Sequence, residues 1–99
     1  MKLDGIVHYE KTVNIVEEAV VLSYRMFECE AESSRKIYCL MIELISPNEY
    51  DECTLQDIAL SEKMAMRIWR LFIEQTVTPC TAADILEDLL SDWLFLYAD

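Results

Sequence analysis

Carboxylates are the residues best placed to do chemistry in this chain, and nineteen of them stand against eight lysines and arginines for a net charge of -11. Paired carboxylates serve as general acid and base when a pocket drives their pKa values apart, but these fall on the polar faces of the expected elements. Solvated surface charge is the plainer reading. The other candidates for catalysis are sparse. His8 is the only imidazole, no Gly-x-Ser-x-Gly elbow or local cysteine-nucleophile signature accompanies it, and it reads as a strand or loop residue rather than a general base. Gly5 is the only glycine, so neither a phosphate-cradling loop nor a dinucleotide fingerprint can be written. The chain is therefore expected not to be an enzyme and to carry no cofactor.

Cys29, Cys39, Cys53 and Cys80 lie 10, 14 and 27 positions apart, with no Cys-x-x-Cys pair. A structural zinc site usually holds two ligands close in sequence so that one turn presents both, and this spacing offers no such pair. No metal is expected. The four are expected to be buried free thiols, because a free cysteine behaves as a small core residue.

A chain of 99 residues, 54% of them hydrophobic, has enough apolar surface for one core and some to spare, so one domain spanning residues 1–99 is expected. No apolar run approaches the roughly 20 residues that cross a bilayer, and the amino terminus reads as no signal peptide, which places the protein in the cytosol. The negative charge opposes direct binding to nucleic acid or to anionic lipid and favours a partner with a basic surface.

The elements that must position these residues follow from periodicity. Residues 1–18 fit a short strand pair or the start of a helix equally well. From Val20, the period-2 set Leu22, Tyr24 and Met26 predicts a strand, and IYCLMIELI predicts a second, joined to it by the polar stretch 31–36. A turn centred on Ser34 makes Cys29 and Cys39 cross-strand neighbours. Pro47 and Asn48 end the second strand, the acidic loop NEYDE follows, and TLQDIA reads as a short third strand or an extended lead-in.

Ser61 is a helix N-cap with Glu62 inside the first turn, and Met64, Ile68, Leu71 and Phe72, flanked by Ala65 and Trp69, form the apolar stripe. Lys63, Arg67, Arg70 and Glu74 occupy the opposite side. Pro79 stops this helix near Gln75 or Thr76. Thr81 caps a second helix, in capping-box spacing with Asp84, whose buried stripe is Ile85, Leu86, Leu89, Leu90, Trp93 and Leu94. The fold class predicted is α+β, an antiparallel sheet of two to four strands followed by an αα-hairpin packed on one face.

The segment DIALSEKMAMRIWRLFIEQTVTPCTAADILEDLL, through Asp57, Ile58, Pro79, Asp84, Glu87 and Asp88, resembles a family of small uncharacterised bacterial proteins of about this length, a domain of unknown function. The resemblance covers about two thirds of the chain. It implies the α+β layout and supplies no catalytic or binding residue, while residues 1–18 and the aromatic tail depart from it.

What remains is an interaction module. The first surface expected to meet a basic partner is the outer face of the last helix, formed by Asp84, Glu87, Asp88 and Asp92, since no lysine or arginine occurs after Arg70. The acidic loop of Glu49, Asp51 and Glu52 and a hairpin edge of Glu28, Glu30 and Glu32 are alternatives. Trp93, Leu94, Phe95, Leu96 and Tyr97 are apolar at every position and cannot all face one core, so they are expected to meet the amino-terminal segment or a second copy of the chain in a homodimer. A narrower reading makes the chain an acidic inhibitor of a basic nucleic-acid-handling protein, in the style of phage anti-CRISPR proteins or antitoxins.

Overall fold

The computed structural model describes residues 6–30 and 36–91. Four strands, β1 (Ile6–Ile15), β2 (Val20–Glu30), β3 (Lys36–Ile45) and β4 (Tyr50–Leu55), form one antiparallel sheet in the order of the chain. Two helices, α1 (Glu62–Glu74) and α2 (Ala82–Ser91), follow and pack on the same face. This is the α+β layout expected from the sequence, at the upper end of the predicted strand count.

The alternation in β2 decides which face is covered. Leu22, Tyr24 and Met26 are fully buried beneath the helices, whereas Val21, Ser23 and Arg25 point to the other side and are half-exposed. β1 joins β2 through a 3-10 turn at Val16–Glu18, closed by Ala19 in the left-handed region at φ 54° with its N–H on the Val16 carbonyl. A bulge between Val7 and Tyr9 shifts the β1–β2 register by one, so Tyr9, Val13 and Ile15 turn to the helix side. This irregularity, with the polar spacing of Glu10 to Thr12, is why the first segment gives no clean period.

Two expectations about the hairpins need correction. Cys29 lies opposite Ile37 and Cys39 opposite Phe27, so the β2–β3 connection is centred one residue before Ser34. A one-residue shift of the centre moves partners by two and preserves the face, leaving the two cysteines diagonal neighbours rather than a direct pair. The acidic stretch after Pro47 is loop only through Glu49 and is strand from Tyr50. Ser46 donates its N–H to the Glu49 carbonyl at 2.9 Å, a turn tight enough that pairing resumes at Tyr50, with Ile45 opposite Tyr50 and Glu43 opposite Glu52. The last strand is therefore Tyr50–Leu55 and not 54–59. Beyond it Asp57 adopts φ 54°, and the Ile58 N–H donates to the Tyr38 carbonyl at 2.9 Å, which pins an extended lead-in beside β3.

α1 begins where the sequence places it. Ser61 is extended at φ -143°, ψ 159°, and its side-chain oxygen accepts from the Met64 N–H at 3.2 Å. Removing such a cap costs about 1 kcal/mol. Ala65, Ile68 and Phe72 form the buried stripe, with Met64, Leu71 and Trp69 half-buried along its margins. The helix closes in a Schellman motif: the Thr76 N–H donates to the Ile73 carbonyl and the Val77 N–H to the Phe72 carbonyl, with Thr76 at φ 46°. The apolar contact typical of that motif is supplied by Phe72 and Val77, both in the core.

Two side-chain bonds tie Tyr24 of the sheet to α1 and to the turn that follows it. The Trp69 indole N–H donates to the Tyr24 carbonyl at 3.1 Å, with the Tyr9 ring tilted against the indole at 5.4 Å between centroids. The Tyr24 hydroxyl donates to the Val77 carbonyl at 2.8 Å from a fully buried position. Burial pushes the Tyr24 phenol pKa up to about 12.

The approach to α2 differs from expectation. Thr78 is the extended residue before a 3-10 turn at Pro79–Thr81, and Thr81 lies inside that turn with its hydroxyl directed back to Thr78. Thr81 thus forms no capping box with Asp84, because proline at the first position starts the helical run three residues earlier, at Pro79 rather than Ala82. α2 buries Ala82 fully but Ile85, Leu86 and Leu89 only in part, and Leu90 is 38% exposed on its flank rather than part of the buried stripe.

Candidate functional site

On α2, steps of three and four residues set Asp84, Glu87 and Asp88 opposite the Ala82, Ile85, Leu86 and Leu89 side that faces the core. All three carboxylates are exposed. None has a hydrogen bond or ion pair among the described residues, and α2 carries no basic residue. Asp84 in the first turn suits the positive end of the helix dipole. The pairs Asp84 with Asp88 and Asp84 with Glu87 are like-charge neighbours that each cost the helix roughly 0.2–0.5 kcal/mol. The helix dipole therefore accounts for Asp84 but not for Glu87 or Asp88. Asp92, its expected fourth member, lies outside the described residues, as do Trp93, Leu94, Phe95, Leu96 and Tyr97.

The second acidic set is engaged in the structure of β4. The Tyr50 hydroxyl is 2.7 Å from a Glu43 carboxylate oxygen and 2.8 Å from one of Glu52, and the Glu52 N–H donates to Asp51 at 2.9 Å. A phenol has one proton, so it donates to one carboxylate at a time. The hydrogen bonds it makes to Glu43 and then to Glu52 hold that proton on, raising the Tyr50 pKa above its ordinary value. Glu49 is exposed and supplies its backbone carbonyl to the Ser46 turn. Glu49, Asp51 and Glu52 thus remain at the surface, on an edge strand and its turn. The partnership of Glu43, Tyr50 and Glu52 escaped the sequence reading, since Glu43 joins Glu52 only through the β3–β4 register.

The expected hairpin edge is corrected. Glu28 sits on β2, an inner strand, between Ile6 and Tyr38, with its side chain mostly covered and 3.5 Å from the Lys36 ammonium. Glu32 and the Glu30 side chain lie outside the described residues, and so does the His8 side chain. On the same helix-free face as Glu43 and Glu52, Arg25 clasps Glu10 at 2.7 Å across β1 and β2, an exposed pair that contributes little stability.

The cysteines divide by element. Cys29 and Cys39 are buried on the helix-free face with Phe27, Ile37 and Met41. Burial chiefly raises the Cys39 pKa; a hydrogen bond from the Asp57 backbone N–H opposes the rise, and contact with the Cys29 thiol adds to it. Cys53 is half-buried, and burial followed by the Asp51 charge raises its pKa. Cys80 is exposed, against the expectation of four buried thiols, because the 3-10 turn directs Pro79 inward and its neighbour outward. Among the described residues no group of three or more His, Cys, Asp or Glu is placed to hold a metal ion, and no helix is long and apolar enough to cross a membrane.

Such an arrangement defines a small α+β domain of a four-stranded antiparallel meander shielded on one side by two helices, the second with an acidic outer face. Residues 5–92 match a family of unknown function (DUF6514), and the chain belongs to that family. The match begins at residue 5, so β1 lies within the family rather than departing from it. Compared with curated proteins and with solved structures, the chain has no match.

Proposed function

We propose that the chain is a non-catalytic protein-interaction module of the cytosol that presents the outer face of α2 to a partner with a basic surface. The observation that carries this reading is the trio Asp84, Glu87 and Asp88, exposed and without counter-charge on a helix that gains nothing from their mutual repulsion. Carboxylates four residues apart rise about 6 Å along a helix, a spacing that suits a row of lysines or arginines otherwise turned toward successive phosphates. The net charge of -11 favours the narrower form of the reading, an acidic inhibitor occupying the basic surface of a nucleic-acid-handling protein.

The test is a pull-down on the immobilised chain at rising salt, with the wild type beside the triple variant Asp84→Lys, Glu87→Lys, Asp88→Lys. The screening length falls from about 8 Å at physiological ionic strength to about 3 Å at 1 M salt, so a partner held by this exposed charge dissociates as salt rises and is not captured by the variant. Thermal melting of the variant stays cooperative, since exposed substitutions cost little. Capture that persists in high salt and in the variant refutes the acidic-face reading and moves recognition to an apolar surface, including one between two copies of the chain.

A further inference from the structure

We draw no further inference here: the strongest candidate, the apolar cluster of Phe27, Cys29, Ile37 and Cys39 on the helix-free face of the sheet, carries nothing because the described residues do not show what covers it.

Discussion

Replacing Tyr24 by phenylalanine isolates one bond between sheet and helices. The hydroxyl donates at 2.8 Å to the carbonyl of Val77, the residue that closes the Schellman motif after α1, and both residues are in the core. Phenylalanine keeps the ring and almost all the volume, so no cavity term of note arises. What is lost is a net hydrogen bond of about 1 kcal/mol, together with desolvation of a carbonyl left without that donor, for a total of about 2 kcal/mol. With an unfolding entropy near 2.1 cal/mol/K per residue, a chain of 99 residues should lose roughly 10 °C in Tm. Urea unfolding should show a lower midpoint at unchanged slope, because the surface exposed on unfolding is the same. The second arm of the experiment is pH. The phenol titrates near 10 in the unfolded chain and about 12 in the folded one, so its neutral form is the one the fold accepts. Its contribution is fully present below pH 10 and is lost as pH rises from 10 through 12, by about 3 kcal/mol at most. The gap between wild type and Tyr24→Phe should therefore shrink over that window, with tyrosinate absorbance appearing as the wild type unfolds. A loss under about 0.5 kcal/mol at pH 7, or a gap that does not change between pH 9 and 12, refutes the argument.

Three further outcomes follow from local geometry. Ser61→Ala removes the side-chain acceptor of the Met64 N–H and should cost about 1 kcal/mol in urea unfolding; an unchanged midpoint means that the cap contributes nothing. Thr76→Gly relieves a β-branched residue at φ 46°, a strain of roughly 1–2 kcal/mol, and gives back about half of that as unfolded-chain entropy, so the variant should be modestly more stable than the wild type; a destabilised variant contradicts it. With a disulfide reagent such as Ellman's, Cys80 should react first and Cys53 more slowly, while Cys29 and Cys39 react only on unfolding; early modification of Cys39 overturns the burial assignment.

The parts of the fold that were legible in the sequence are those whose burial is one-sided and regular. In β2, Leu22, Tyr24 and Met26 alternate with Ser23 and Arg25, and in α1, Ala65, Ile68 and Phe72 recur at helical steps behind a serine cap, so periodicity and capping both point to the observed elements. β1 hides its period behind the bulge at Val7 and Tyr9. β4 is hard to place from sequence because Asp51 and Glu52 look like loop residues; on a six-residue edge strand exposed at one end, charge is tolerated and helps to keep the edge from pairing with another chain. Thr81 looks like a cap because threonine suits one, but Pro79 fixes the start of the helical run.

Legibility falls off further at the candidate site, for a reason rooted in what shapes a surface. A core residue is constrained by many neighbours at once, so the pattern of several positions repeats one message. The carboxylates of Asp84, Glu87 and Asp88 have no hydrogen bond or ion pair among the described residues, and their sequence spacing says only that they share the outer side of a helix. Spacing in sequence groups the other acidic residues differently from the fold. Glu28 proved to be an inner-strand residue near Lys36, and Glu52 shares the Tyr50 hydroxyl with Glu43, which lies nine positions away and meets it only through strand register. Those carboxylates are engaged by partners within the fold, whereas Glu87 and Asp88 have none among the described residues and Asp84 meets only the helix dipole, and the three repel one another along the helix. That contrast, which appears only once partners and exposure are assigned, separates the α2 face from Glu28 and from the Glu43 and Glu52 pair.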